Sequence, residues 1–142
     1  MSRLTKAIFI GAFVPIVLLS AQITTFGQST QYETPDQEFK QAIALQEIGD
    51  YYKSYELLLD LSIKGYSKAY APLSFLMLNG IMQDCKQVKT FAFSAILAKE
   101  CEGFNVMASI AKTGVCSKGG KKDLAKAQRY LDKASNCKRL KN

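Results

Sequence analysis

Three stretches of this chain, which begin at Tyr52, Val88 and Leu124, superimpose at a spacing of 36 residues. Within each stretch, apolar or small residues mostly fall at the i, i+3, i+7 and i+10 positions, which lie on one face of a helix. The aligned sets are Tyr52/Val88/Leu124, Tyr55/Phe91/Ala127, Leu59/Ala95/Leu131 and Ser62/Ala98/Ala134. One helical unit cannot bury such a stripe alone, so repeated units stack into a continuous core, and such stacks usually bind other molecules. The spacing therefore predicts an all-α repeat fold.

Apolar periodicity and turn residues together predict six helices and no strand. The helices cover Asp36 to Ile48, Tyr51 to Lys64, the segment around Leu73 to Leu78, Gln87 to Glu100, Phe104 to Lys112, and Asp123 to Ser135. Pro72 either lies in the first turn of the third helix or kinks it, because proline lacks the N–H that an interior position needs. Short turns between consecutive helices predict three antiparallel helix pairs, which form a short α-solenoid.

The first 27 residues differ from the rest of the chain. Arg3 and Lys6 precede the apolar run Ala7 to Leu19, and a short polar stretch follows, which is the layout of a secretory signal peptide. A small residue at position 27 favours cleavage after it, and Ala21 offers an earlier site. An uncleaved segment would be just long enough to span a bilayer, although a central proline disfavours an anchor. We therefore expect export to the periplasm or the medium, with no stable membrane span after cleavage.

The remaining residues divide into three segments. Residues 28–35 are polar and lack periodicity, which predicts a disordered lead-in, and residues 36–136 form the predicted repeat domain. Residues 137–142 form a basic C-terminal tail that we expect to fray.

The four cysteines predict a two-disulfide framework, because an even count in an exported chain is typical of one. Cys85 and Cys116 both fall in predicted turns after the first helix of a pair, whereas Cys101 and Cys137 both fall where a second helix ends. Antiparallel pairs put the first two cysteines at one end of the stack and the other two at the opposite end. We therefore predict the bridges Cys85–Cys116 and Cys101–Cys137. Four unpaired thiols are the alternative.

Positive charge is concentrated near the C-terminus. Residues 28–111 carry seven lysines and ten acidic residues, a net charge of −3, whereas residues 112–142 carry ten basic and two acidic residues, a net charge of +8. Such a local excess raises the concentration of anions nearby. We expect the partner to be a protein with an acidic patch, and export makes nucleic acid the least favoured partner.

Lys122, Lys126, Arg129 and Lys133 recur at intervals of four, three and four residues, which places them on one face of the sixth helix. A terminal repeat needs a polar outer face, so a solvated cap is the simplest interpretation. Like charges at this spacing on a helix repel each other by about a few tenths of a kcal/mol per pair. The alternative interpretation is therefore an anion-binding surface.

Several motifs resemble known helical repeats. The segment from Gly49 to Leu58 resembles the turn and second helix of a tetratricopeptide repeat. The Sel1-like repeat is the closer resemblance over residues 36–136, and Gly103 stands where that pattern has an alanine. The matching positions are Ala69, Leu73, Asn79-Gly80, the acids Asp84 and Asp123, and the Lys-Ala pairs Lys126-Ala127 and Lys133-Ala134. The resemblance implies an adaptor in an extracytoplasmic assembly or an immunity protein that blocks a toxic effector.

No feature of the sequence favours catalysis. The chain contains no histidine, the commonest general base and metal ligand. No Cys-x-x-Cys motif supports a zinc or thiol redox site. The glycine-rich segment Gly114 to Lys122 fails the spacing of a phosphate-binding loop. We therefore expect neither enzymatic activity nor a cofactor, and a cell-wall-active enzyme is the least favoured hypothesis.

Aromatic residues cluster in the first two predicted repeats. Most of them are expected in the core, but tyrosines such as Tyr52 and Tyr70 are candidates to contact a partner in the groove, because aromatic rings anchor interfaces at low entropic cost. We expect the first, third and fifth helices to form that groove. The hypothesis is an exported adaptor or scaffold, with an immunity or inhibitor protein as the alternative.

Overall fold

The computed structural model describes residues 34–141, which are entirely helical apart from turns and loops. The helices are α1 (Pro35–Glu47), α2 (Tyr51–Ile63), α3 (Tyr70–Leu78), α4 (Cys85–Leu97), α5 (Glu102–Thr113) and α6 (Leu124–Lys141), with 3₁₀ turns at Ser67–Ala69 and Lys118–Gly120. This confirms the all-α class for that part of the chain. None of these helices combines the length and apolar character needed to cross a membrane.

The first helix begins earlier than the sequence indicates. Thr34 caps α1 in a reciprocal capping box with Gln37, and Pro35 occupies the first turn, where its missing N–H has no cost. The prediction of a disordered lead-in over residues 28–35 is therefore wrong for its last two positions. Residues 28–33 and the predicted signal peptide 1–27 lie outside the described residues.

Aspartates begin the second helix of each consecutive pair. The side chains of Asp50, Asp84 and Asp123 each accept a hydrogen bond from a backbone N–H in the first turn of α2, α4 or α6. Such caps satisfy N–H groups that the helix itself leaves free. Because Asp84 caps α4, the helix includes Cys85 and Lys86, which the sequence analysis assigned to a turn.

These caps correct the register of the predicted repeat. Asp84 follows Asp50 by 34 positions and Asp123 follows Asp84 by 39, because the loop before α6 is longer. When α2, α4 and α6 are aligned on their aspartate caps, two sets of equivalent positions are buried in all three helices: Ser54/Val88/Ala127 and Leu61/Ala95/Ala134. The 36-residue alignment instead groups buried Val88 with exposed Tyr52 and Leu124. That alignment is wrong by two or three residues.

The helices pack mainly against their neighbours in sequence: α1 on α2, α3 on α4, and α5 on α6. Helix α3 also contacts α2 and α5, and six of its nine residues are buried, so it lies at the centre of the core as its uniform hydrophobicity predicts. Pro72 is the third residue of α3, within the first turn. Inside this core, the Ser74 hydroxyl donates to the Val88 carbonyl oxygen at 2.7 Å, which joins α3 to α4.

A glycine permits the close contact between α4 and α5. A Cβ atom at Gly103 would lie 2.6 Å from the Ala92 carbonyl oxygen and 2.9 Å from an Ile96 side-chain carbon. The first distance is shorter than a packed carbon and oxygen tolerate. This contact explains why glycine stands where the resembling family has alanine.

The C-terminal tail does not fray. Helix α6 continues through Lys141, so the prediction of a separate tail over residues 137–142 is wrong for the described part of that segment. The Cys101–Cys137 bridge holds the helix at this level. Beyond it, Lys138 pairs with Glu102 and Lys141 pairs with Glu100, each at 3.4 Å.

Candidate binding surfaces

The two disulfides have the predicted connectivity. Cys85 bonds to Cys116 with a Cα–Cα distance of 5.0 Å, and Cys101 bonds to Cys137 with a Cα–Cα distance of 5.6 Å. The first bridge joins the start of α4 to the loop between α5 and α6, and the second joins the start of α5 to the last third of α6. Both bridges therefore hold the region that carries most of the positive charge. Two disulfides also favour an oxidising compartment.

The four predicted basic residues form one exposed surface, here called the basic stripe: Lys122, Lys126, Arg129 and Lys133. Among the ion pairs of residues 34–141, none involves a member of the stripe, whereas Lys138 and Lys141 farther along the helix are both paired. The Lys133 Nζ lies 5.9 Å from the centre of the Tyr130 ring, within range of a cation–π contact. The stripe is thus a set of cations that the fold leaves without an acidic partner.

Two cavities adjoin the stripe and share Lys126 and Tyr130 as lining residues. The smaller one, of about 310 Å³, is lined by these two residues with Arg129 and Lys133. The larger one, of about 730 Å³, extends from α6 to α5 and the preceding loop and reaches Lys89 on α4. We call it the basic cavity.

The basic cavity adds three lysines that the sequence analysis did not select: Lys89, Lys118 and Lys121. Lys118 and Lys121 belong to a glycine-rich loop whose basic character is visible in the sequence, although the loop matches no known phosphate motif. Lys89 lies on a different helix, and no local pattern connects it with the loop. Only the packing of α4 beside α5 brings it to the cavity.

On the face of α6 opposite the stripe, only small residues are buried. Ala127 and Ala134 are buried, but Leu124 is 67% exposed and Leu131 is 43% exposed. The expectation that both leucines face the core is therefore wrong. Helix α6 is the last helix and packs on α5 alone, so the close contact through the alanines leaves the leucine side chains at the edge.

A groove runs along α1, α3 and α5, as the sequence analysis expects. The groove consists of three cavities of about 470, 300 and 250 Å³, and the middle one shares lining residues with each of the other two. The shared residues are Gln46, Ala71, Pro72, Phe75 and Glu102. Phe75 is 46% exposed although it belongs to the central helix, because its side chain lines this groove rather than the core.

Neither candidate tyrosine lines this groove. Tyr70 is half-buried and stacks on Phe91, with ring centres 6.3 Å apart. Tyr52 is exposed on α2, and of that helix only its first residue, Tyr51, lines the groove. The aromatic residues that do line it are Phe39, Tyr51 and Phe75. A role for Tyr52 or Tyr70 in contacting a partner stays a prediction.

Acidic side chains border the groove, in contrast to the basic stripe. Glu47, Glu100 and Glu102 line its cavities, and Lys68 is the basic residue among the lining side chains. Lys141 and Lys138 of α6 neutralise Glu100 and Glu102. The groove is therefore apolar at its centre and close to neutral where α6 meets it.

A polar cluster ties the start of α1 to the turn before α3. The Tyr66 hydroxyl donates to the Asp36 carboxylate, and Lys68 Nζ lies 3.1 Å from the same carboxylate. The hydrogen bond from Tyr66, followed by the contacts of Lys68, lowers the pKa of Asp36. Partial burial, followed by the bond to Asp36, raises the pKa of Tyr66.

Within residues 34–141, no group of three or more cysteine or acidic side chains is arranged to hold a metal ion. Comparisons with protein-family models, curated proteins and solved structures find no match to this chain. The resemblance to Sel1-like repeats therefore stays a prediction that depends on the residues quoted for it.

Proposed function

We propose that this protein is an exported Sel1-like α-solenoid of three antiparallel helix pairs that acts as an adaptor and binds a protein with an acidic patch. The observation that carries the proposal is the basic stripe: four exposed cations, three on one face of α6 and one just before it, that have no acidic partner among residues 34–141. Fixed, unpaired charges of one sign steer an oppositely charged partner and select against basic ones.

The packing of the helices supports this function. Consecutive helices pack on one another, and the groove along α1, α3 and α5 offers an apolar surface with Phe75 at its centre. An aromatic side chain in a concave, partly apolar site is a typical anchor of a protein interface. In this proposal the groove supplies contact area and the stripe supplies charge complementarity.

The disulfides support an extracytoplasmic site of action. Both bridges lie in the part of the protein that carries the stripe, and such bridges persist in the periplasm or outside the cell. The signal-peptide pattern of residues 1–27 favours the same localisation.

Affinity capture with the oxidised protein tests the proposal. The protein is compared with a stripe variant, Lys122→Glu, Lys126→Glu, Arg129→Glu and Lys133→Glu, as bait for an envelope or secreted fraction from the same host. A charge-matched control carries glutamate at four exposed lysines outside the stripe and its cavities: Lys40, Lys86, Lys99 and Lys112.

The captured protein is then purified and its affinity is measured at two salt concentrations. We expect the stripe variant to bind about tenfold or more weakly than the control, because four favourable contacts become repulsive. Higher salt should weaken binding of the unmodified protein. Equal affinities for the stripe variant and the control would refute a role for the stripe. A captured toxin whose activity falls on binding would replace the adaptor role with the inhibitor role.

A further inference from the structure

The basic cavity differs from the stripe in shape and in composition. Its volume of about 730 Å³ lies within the range of cavities that hold small molecules, which extends from roughly 300 to 1,000 Å³. Five lysines line it: Lys89, Lys118, Lys121, Lys122 and Lys126. The lining residues also include one acid, Asp123, whose carboxylate already accepts the Lys126 backbone N–H at 2.8 Å.

None of these five lysines takes part in an ion pair among residues 34–141. Lys89 is the one partly buried lysine of the five. Several cations around one concavity repel one another, and low-dielectric walls strengthen the field between them. A bound anion would relieve this repulsion, so the cavity has the electrostatics of an anion site.

The loop that carries Lys118 and Lys121 is held in place by several contacts. The Cys85–Cys116 bridge fixes it to α4, one helical turn before Lys89. At the other end of the loop, the Asp123 N–H donates to the Ala111 carbonyl oxygen of α5 at 2.8 Å. The site therefore forms without a partner, which lowers the entropic cost of binding.

Internal contacts of the loop add to this rigidity. The Ser117 hydroxyl lies 2.7 Å from the carbonyl oxygens of both Gly114 and Lys121, so it bridges the two ends of the turn. Gly114 has φ of 82°, and a Cβ atom there would collide with the Gly120 carbonyl oxygen. Both features restrain the backbone of the loop that carries Lys118 and Lys121.

The floor of the cavity is apolar. Met107, Ile110 and Ala111 of α5 line it with Tyr130 of α6, and exposed Leu124 lies at its mouth. The first residues of α6, Leu124 and Ala125, also present the N-terminal end of an 18-residue helix to the cavity, where negative charge is favoured. The lining thus combines a ring of point charges with a surface for an apolar group.

We propose that the basic cavity binds a phosphomonoester attached to an apolar body. A phosphate group carries a charge of about −1.5 to −2 near neutral pH and three acceptor oxygens, which suits several ammonium groups better than a single carboxylate does. The apolar body covers Leu124 and the floor formed by α5. This site shares Lys122 and Lys126 with the stripe, whereas Lys89, Lys118 and Lys121 belong to the cavity alone.

Isothermal titration calorimetry with short-chain phosphatidic acid, kept below its micelle concentration, tests the proposal on the oxidised protein. The cavity variant is Lys89→Gln, Lys118→Gln and Lys121→Gln, which leaves every residue of the stripe in place. The matched control is Lys40→Gln, Lys86→Gln and Lys112→Gln, which removes the same charge at exposed positions away from the cavity. Circular dichroism and melting temperature confirm that each variant is folded.

We expect saturable binding of one ligand to the unmodified protein and to the control, and affinity about tenfold weaker for the cavity variant. Short-chain phosphatidylcholine, which lacks the phosphomonoester, should not bind. Inorganic phosphate, which lacks the apolar body, should bind more weakly than phosphatidic acid. Absence of saturable binding, or equal weakening in both variants, would overturn the proposal.

Vesicles distinguish the source of the phosphate group. The protein is sedimented with phosphatidylcholine vesicles that contain long-chain phosphatidic acid. Sedimentation that the cavity variant loses and the control keeps would support a lipid headgroup at a membrane surface. Binding of the short-chain ligand without sedimentation would support a soluble phosphomonoester. The cavity variant keeps all four stripe residues, so failure of phosphomonoester binding is distinguishable from failure of the adaptor function.

Discussion

The groove and the basic stripe lie on the same small helical protein but depend on different levels of its structure. The stripe spans 12 consecutive positions, with Lys126, Arg129 and Lys133 on α6 and Lys122 two residues before that helix begins. The groove collects residues from α1, α3 and α5, such as Gln46, Ala71 and Glu102, which are 25 and 31 positions apart in sequence. A surface on one helix follows from spacing alone, whereas a surface shared by three helices follows only from how they pack.

The two surfaces also differ in what stabilises them. Buried side chains of α3, such as Leu73 and Met77, hold the groove to the core. The helix that carries most of the stripe buries two alanines, Ala127 and Ala134, packs half-buried Tyr130 against the core, and is held by a disulfide. Small residues bury little apolar area, so the covalent bridge supplies stability that packing supplies elsewhere.

Removing the Cys101–Cys137 bridge should have the largest effect, because this bridge stabilises the helix that carries the stripe and not the groove. The double variant Cys101→Ser and Cys137→Ser should lose about 3–4 kcal/mol of unfolding free energy, measured by urea titration, since the bridge closes a long loop. It should also expose the end of α6, so that trypsin cleaves after Lys138 and Arg139 before it cleaves elsewhere.

The double variant Cys85→Ser and Cys116→Ser is the matched control, because its loop is of similar length. It should lose comparable stability but keep the end of α6 protected. Equal trypsin sensitivity in the two variants would mean that the second bridge does not fix the end of α6.

An intermediate effect is expected where α4 meets α5. Gly103→Ala places a methyl group 2.6 Å from the Ala92 carbonyl oxygen, so the two helices must separate. We expect a loss of about 1–3 kcal/mol in thermal or urea unfolding, the usual cost of overpacking. The substitution Ala98→Gly, on the exposed end of α4, should cost less. Gly103→Ala without destabilisation would contradict the close contact.

The smallest effect concerns the polar cluster at the edge of the groove. The pKa of Asp36 is lowered in the folded state, so its carboxylate stabilises the protein above the pKa of about 3.9 that an unfolded aspartate has. This contribution disappears as pH falls through the folded-state pKa. Asp36→Asn should therefore lower the melting temperature slightly at pH 7 and not at pH 2.

Asp132, an exposed aspartate of α6 outside this cluster, provides the control substitution Asp132→Asn for the same pair of pH values. A difference between Asp36→Asn and the unmodified protein that persists at pH 2 would show that the effect is not electrostatic. Tyr66→Phe should reproduce the Asp36→Asn result, because it removes the main hydrogen bond to that carboxylate.

The sequence by itself determined the features that depend on neighbouring residues. Helical periodicity predicted six helices, and the order of those helices predicted both disulfides. The spacing of the basic stripe predicted a single exposed face. Each of these depends on residues within one helix or on the alternation of short turns, which local geometry fixes.

Tertiary structure alone decided the register of the units, the end of α6 and the basic cavity. The 36-residue alignment failed because aspartate caps and loop length, rather than apolar identity, set where each helix starts. Lys89 joined Lys118 and Lys121 because α4 packs beside α5 and a disulfide draws the loop toward it. The tail is helical, and two of its lysines pair with Glu100, just before α5, and with Glu102, the first residue of α5. The contacts that form the cavity and hold the tail join residues about 30 or more positions apart. Their energy depends on distances that no local pattern contains.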